Sequence, residues 1–408
     1  MATAARPRNQ QDVRRRNLAA VLHVVADAGP LSRASVAARI GLTRAAVSTL
    51  VDELLTTGLL VEQGPGRSGA VGRPGTDLAL NDRGPCGIGA EIGVDRLQVC
   101  AVDLRGAVRA RAVVAADSRD SEPGPVLARL AGLVAQVAAE AREAGLEPAG
   151  VCVAVPGLVA RDRVTVVRAP NLGWRDVDLA RHLPREAGSP LCADNEANLG
   201  ALAELWLGGH DPEPRDALHV SAAIGIGAAI LVEGELLRGA RGFAGELGHV
   251  PVQPEGRPCG CGSRGCLEQY AGEEAVLRAA GPATTDRDAR PGSDGPGSEG
   301  PGARTAALAA RAASGEQPVR LALASAGTAL GVALSGAVNL LDPATVVLGG
   351  GLAQLAPWLL PATEAELARR LPHPPALAVS RLGSDGPLLG AAHSVVRTVL
   401  DHPPGRPG

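Results

Sequence analysis

The stretch GHVPVQPEGRPCGCGSRGCLEQY, Gly248 to Tyr270, places His249, Cys259, Cys261 and Cys266 within eighteen residues. The spacing is His-x9-Cys-x-Cys-x4-Cys, in a run rich in Gly and Pro. Three thiolates and one imidazole fill a tetrahedral zinc shell and leave no position open for water. A zinc ion held this way is structural. The competing reading, free cysteines beside a surface histidine, needs four ligand-type residues to gather in one short turn by coincidence. The other cysteines, Cys86, Cys100, Cys152 and Cys192, stand singly in or beside apolar runs and read as small core residues.

Outward from this turn the chain is long and poor in aromatics. Its 408 residues predict two or three domains, and five aromatic residues leave the cores to Leu, Val, Ile and Ala. All 40 basic residues are arginine, which excludes P-loop and Schiff-base lysine chemistry. Residues 1–80 hold ten arginines against six acidic residues, net +4, and the remainder is net −7. A basic head on an acidic body fits a nucleic-acid-binding module. No run reads as apolar throughout for eighteen residues and none opens the chain as a signal peptide. The expectation is a cytoplasmic protein without a membrane partner, whose cysteines stay reduced.

Val13–Ala28 has helical spacing at Leu18, Val21, Leu22 and Val25, and Gly29-Pro30 stops it. Ser32 caps a short helix to Ile40, and Thr43 caps another to about Thr57, closed by Gly58. A strand, the loop QGPGRSGAVGRPG and the returning strand TDLAL follow. This order is that of a winged helix-turn-helix, assigned to residues 1–82. Its second helix turns Val47, Leu50, Val51 and Leu54 inward. Thr43, Arg44, Ser48 and Thr49 are then free to meet bases or phosphates, with Arg67 and Arg73 reaching from the wing. Arg14–Arg16 read as a solvated run or as loose phosphate contacts that read no sequence.

From Cys86 onward strands alternate with helices in two halves. The expected strands are Gly87–Ile92, Leu97–Asp103, Val108–Val114, Val151–Val155, Leu218–Ala223, Ala228–Val232 and Thr345–Leu348. The expected helices are Val126–Glu143, Glu196–Trp206, Glu273–Ala280 and Leu321–Leu341. This is an α/β pattern, two lobes with a cleft between, read as residues 83–205 and 206–408. A C-terminal helix is expected to return towards the first lobe. Residues 281–304, rich in Gly, Pro, Ser and Asp, read as a disordered surface loop.

The segment GFAGELGHVPVQPEGRPCGCGSRGCLEQYAG resembles the signature of the ROK family, which groups bacterial repressors with sugar kinases. VPGLV, APNLGW, DNEANLGALAE, GIGAAILVEGELLRGARGFAGE and LLDPATVVLGGGL follow in that family's order, so the resemblance spans about residues 86–400. It implies an actin-like ATPase fold of duplicated ribonuclease-H-like lobes, with sugar bound between them. The N-terminal head resembles that of the family's repressor branch. By the same resemblance Asn171, Asn195, Glu196, Glu246, His249 and Glu268 fall on sugar-contacting positions. His249 then serves both the zinc ion and the sugar through its two ring nitrogens.

The family's kinases carry D-x-G-x-T, where this chain has Glu91 and Asp95, and G-T-G-x-G, where it has Ala223 and Ile224. Glu196 stands at the kinase base position. An anion at Asp95 repels phosphate, and Ile224 offers it no hydrogen bond. The sequence therefore predicts a sugar-responsive regulator, a repressor without enzymatic activity. The alternative is a ROK-type sugar kinase carrying a DNA-binding domain. A single weakly basic head predicts a homodimer or homotetramer on double-stranded operator DNA.

Overall fold

The computed structural model describes residues 10–65, 76–183, 190–222, 225–282 and 302–404. Arg67, Arg73, Ala223, Ile224 and residues 283–301 of the expected loop lie outside these.

The head comprises α1 (Gln10–Ala28), β1 (Leu31–Ser32), α2 (Arg33–Ile40), α3 (Arg44–Thr56), β2 (Leu60–Pro65) and β3 (Thr76–Leu80). Its ends are fixed by local chemistry. Ser32 Oγ accepts from Ser35 N at 3.2 Å, and Thr43 Oγ1 accepts from Ala46 N at 3.2 Å. Gly41 (φ 70°) and Gly58 (φ 71°) take the left-handed conformation that ends a helix. Strand order is β1-β3-β2, and β2 and β3 form the two sides of a wing. Leu18, Val21, Leu22 and Val25 pack with Val47, Leu50, Val51 and Leu54, as their spacing predicts. Arg14, expected in a solvated run, instead donates from Nε to Glu53 Oε2 at 2.9 Å. Glu53 is buried on α3 and draws the arginine in.

The first lobe holds β4 (Pro85–Ile92), β5 (Arg96–Asp103), β6 (Val108–Ala115), α4 (Pro123–Glu143), β7 (Glu147–Val155), β8 (Leu158–Val159), β9 (Thr165–Ala169), β10 (Trp174–Asp178), β11 (Leu191–Asn195) and α5 (Glu196–Leu207). Its five-stranded sheet has the order β11-β7-β4-β5-β6, and β10-β9-β8 form a small second sheet. Cys86, Cys100 and Cys152 are buried as expected, whereas Cys192 is only partly so. Cys192 pairs in register with Cys152.

The second lobe holds β12 (Ala217–Ala222), β13 (Ile226–Val232), β14 (Glu235–Leu236), α6 (Glu268–Ala271), α7 (Glu273–Ala280), α8 (Ala303–Ala313), α9 (Gln317–Leu341), β15 (Thr345–Gly349), α10 (Gly350–Arg370) and β16 (Ala376–Val379). Its sheet order is β14-β13-β12-β15-β16. The last helix, α11 (Gly386–Asp401), packs against β4, β7 and α5. A Cβ at Gly87 or Gly89 would collide with the Ala392 or Leu388 carbonyl oxygen, so these glycines admit the helix backbone onto the sheet.

Helices α8 and α9 depart from the sequence reading in three respects. Helix α9 starts at Gln317 rather than Leu321, because Pro318 is accepted in its first turn. Helix α8 begins at Ala303, inside the stretch read as loop. Helix α9 also has a mean hydropathy of 1.7 over an eighteen-residue window, long and apolar enough to cross a membrane by length and composition. Ser325, Thr328 and Ser335 within it hid this from a search for unbroken apolar runs. Over half of that window, 56%, is buried within the chain, where Leu323, Leu330 and Leu334 serve the second lobe's core.

Candidate functional site

A cavity of about 1210 Å3 lies between the lobes, with Glu91, Asp95, Arg96, Asn171, Glu196 and Glu273 in its walls. The first lobe builds one wall from the junction of β11 and α5. Asn195 caps α5, accepting from Ala197 N at 2.8 Å, and its amide donates to Gly157 O at 2.9 Å. Both ends of this side chain are thus engaged in holding the β7–β8 turn against the helix. Glu196, the next residue, is partly buried. Burial pushes its carboxyl up to about 7; the Glu91 charge adds to the rise and Arg96 opposes it.

Glu91 is buried and faces Gln98 across the β4–β5 register. It accepts from Gln98 Nε2 at 2.8 Å and from Arg96 Nη2 at 3.2 Å. Gln98 Oε1 in turn accepts from Arg111 Nη2 at 3.0 Å, and Arg111 forks onto Asp385 at 2.9 and 2.7 Å. Burial raises the Glu91 pKa, with Arg96 and Gln98 opposing. A guanidinium of the chain itself therefore neutralises this carboxylate. The Asp95 charge is felt in the second lobe: the Glu273 carboxyl is raised by burial first, with Arg304 and Thr305 opposing and Asp95 adding to the rise.

The second lobe contributes Glu246, His249 and Glu268. His249 Nδ1 lies 3.8 Å from Cys259 Sγ, and Cys261 Sγ lies 3.8 Å from Cys266 Sγ. All four donor atoms fall within 4.8 Å of one another, so this cluster could hold a metal ion. Sulfurs bound at about 2.3 Å around a tetrahedral ion stand about 3.8 Å apart, so the separations fit one shared ion. Backbone bridges Pro251–Cys266 and Pro258–Arg264 fold the turn that brings these donors together.

The other nitrogen of the ring, His249 Nε2, faces Glu246 Oε2 at 3.7 Å. Burial raises the Glu246 carboxyl; His249 opposes the shift and Glu268 adds to it. Glu268 opens α6 and accepts from Ile226 N at 3.2 Å. A Cβ at Gly225 would strike its carboxylate, so glycine there leaves room for Glu268.

Asn171 and Glu196 line the cavity, Asn195 caps the helix beside Glu196, and Glu246, His249 and Glu268 form a neighbouring cluster outside that lining. The start of β13 joins the two groups. Ile226 N binds Glu268, while a Cβ at Gly227 would lie 3.1 Å from Ala197 Cβ. Sequence reasoning missed Arg96, Gln98 and Arg111. The signal for Arg96 and Gln98 is the short hairpin EIGVDRLQ, whose closure sets Gln98 opposite Glu91, whereas Arg111 comes from β6 and has no such local signal.

On the head, Arg44 and Thr49 are exposed and Ser48 is partly so. Thr43 is exposed but its oxygen serves the cap, and Thr49 Oγ1 donates to Ala45 O at 3.2 Å. Arg33 is committed to structure, bonding Glu62 at 2.6 Å and Asp52 at 3.2 Å.

The ROK family model matches residues 87–398 and the MarR family model matches residues 16–69. The xylose repressor of Bacillus subtilis (strain 168) is 28% identical over 400 residues, covering 96% of this chain and 98% of that protein. A ROK family transcriptional regulator, described as a homologue of the E. coli MLC protein, superposes with a TM-score of 0.77 at 25% identity, over 96% of this chain and 97% of that one. A ROK family glucokinase from Streptomyces griseus, solved with glucose and AMPPNP, superposes with a TM-score of 0.61 at 26% identity. It covers 76% of this chain and 98% of its own. The chain belongs to the ROK family and carries a MarR-type winged helix at its N-terminal end.

Proposed function

We propose that the protein is a sugar-responsive transcriptional repressor, not a kinase, acting in the cytoplasm. The observation that carries this reading is the packing of the head onto the body. Leu104, Val396 and Leu400 of the body sit in the same apolar core as Leu22, Val51 and Leu60 of the head. Similarity to the xylose repressor and to the MLC homologue, across head and body together, supports it. Residues 1–82 are the DNA reader, and residues 83–205 and 206–408 are the two sensor lobes.

In this reading Arg44, Ser48 and Thr49 of α3 meet operator DNA, Thr43 positions that helix, and Arg67 and Arg73 contact the duplex from the wing. Two or four copies act together, because one weakly basic head makes few phosphate contacts. The His249–Cys259–Cys261–Cys266 cluster holds structural zinc, which supplies a fixed ring orientation and no chemistry. Glu246, Glu268 and the free edge of His249 hydrogen-bond vicinal hydroxyls of a sugar, with Asn171, Asn195 and Glu196 opposite. Xylose is the first candidate, from the name of the relative. Arg96 neutralises Glu91 and Asp95 adds an anion, a poor setting for a nucleotide triphosphate.

Sugar bound to both walls favours a closed cleft and shifts the heads, provided it binds the two states unequally. Calorimetry with xylose and glucose, alongside an assay of ADP formation, tests this function. Saturable sugar binding that Glu268→Gln weakens at least tenfold, with no ADP formed, is the expected result. Sustained ATP consumption on either sugar would contradict it.

A further inference from the structure

Between β14 and the Glu246–His249 turn runs the segment LRGARGFAG, Leu237 to Gly245, of the second lobe. Both its ends are fixed to β13: Leu237 N donates to Ile230 O at 2.9 Å, and Ala228 N donates to Gly245 O at 3.1 Å. Ala244 N donates to Arg238 O at 3.2 Å and closes the segment into a strap. Gly239 (φ 70°) and Gly242 (φ 96°) supply its left-handed bends.

Two arginines, one from each lobe, pin this strap to the first lobe. Arg161, just past β8, donates to Gly239 O from Nη2 at 2.6 Å and from Nε at 3.2 Å. A Cβ at Gly242 would come within 3.0 Å of Val159 O, so the strap backbone lies directly on β8. In the other direction, Arg238 Nη2 reaches Asp194 Oδ2 at 2.7 Å. Asp194 is 2% exposed. Its Oδ1 accepts from Asn195 N at 2.9 Å and from Asn198 Nδ2 at 2.8 Å, which fixes the carboxylate at the start of α5. A carboxylate this buried needs a positive partner. Arg163 of its own lobe stands 3.7 Å from Oδ2, so the nearer partner comes from the opposite lobe.

We propose that Arg238 and Asp194, with Arg161 as a second pin, form a latch that holds the two lobes closed over the sugar. The inference rests on the reading that sugar lies between Glu246 on one wall and Asn195 and Glu196 on the other. Asp194 is followed in the chain by Asn195 and Glu196, and the strap runs straight into Glu246. The latch therefore ties together the two segments that carry those residues. Arg238 is a positioning residue: it fixes the strap and leaves the sugar contacts to its neighbours. Latch and sugar stabilise the same closed state, so each strengthens the other by the same factor. Breaking the pair leaves Asp194 to the more distant Arg163 and lets the lobes part.

Hydrogen exchange of the full chain without sugar reads the latch, and calorimetry with xylose and glucose reads its effect on sugar. In Arg238→Gln, exchange is expected to quicken about tenfold in residues 237–243 and, together with them, in residues 157–163 of the facing lobe. Adding Asp194→Asn to that variant should change exchange little further, because both substitutions remove one interaction. Sugar affinity should fall about fivefold or more in Arg238→Gln, and Arg238→Lys, which keeps the charge, should recover part of it. If Arg238→Gln does not fold, Arg161→Gln, at an exposed residue, removes the second pin and should loosen the same two segments. Unchanged exchange, loosening confined to the strap, additive effects of the Arg238 and Asp194 substitutions, or sugar affinity unaltered in Arg238→Gln would overturn the proposal. If the intact chain binds neither sugar, the sugar reading fails, and the exchange measurements still decide whether the latch exists.

Discussion

Replacing Glu196 by glutamine changes how stability depends on pH. The folded carboxyl is pushed up to about 7 from a reference value of 4.5, by burial first and the Glu91 charge second. A carboxyl shifted this way keeps its proton longer in the folded state than in the unfolded one. Its contribution is fully favourable below about pH 4.5 and is lost as pH rises through about 7. A difference of about 2.5 pH units corresponds to about 3 kcal/mol at 1.36 kcal/mol per unit, and solvent reaching the partly exposed side chain reduces this to about 1–3 kcal/mol. Glutamine cannot ionise, so the variant should gain that amount on the intact chain between pH 5 and pH 8. Urea unfolding of both chains at several pH values, followed by circular dichroism, measures it. A difference in unfolding free energy that stays constant across this range would refute the electrostatic reasoning.

Three further perturbations follow from the packing and the head. Gly89→Ala drives a methyl into the Leu388 carbonyl and should separate α11 from β4, costing about 3 kcal/mol or more, read as a lower urea midpoint. Arg14→Ala leaves buried Glu53 without its arginine and should lower head stability by about 1–3 kcal/mol, seen as faster amide exchange in α1 and α3. Arg44→Ala should weaken DNA binding and, if Arg44 meets phosphate, reduce the salt slope by about one, measured by anisotropy at several salt concentrations.

The head was legible because local chemistry decides it. Ser32 and Thr43 cap, Gly41 and Gly58 terminate, and Leu18 to Leu54 follow one helical period. The buried strands of both lobes announced themselves as apolar runs. Helix α10 did not, because Pro357 and Pro361 lie inside it and read as breakers. Strands β14 and β16 are short edges whose existence depends on a neighbour to pair with. The His249 and cysteine cluster was readable from spacing alone, since all its donors lie in one turn. The Glu91 network was not, because Arg96, Gln98, Arg111 and Asp385 meet only after three elements pack. The split between the cavity lining and the Glu246–His249–Glu268 cluster likewise depends on tertiary placement that residue spacing does not encode.

Sugar dependence of DNA binding tests the central claim most directly. The full chain is bound to a labelled duplex taken from its own genomic footprint, and xylose, glucose and other monosaccharides are titrated in at fixed salt. At least one sugar should change the affinity tenfold or more in the intact chain, and that response should vanish in Glu268→Gln. Affinity that no sugar alters, together with ATP-dependent phosphorylation of one of them, would contradict the account.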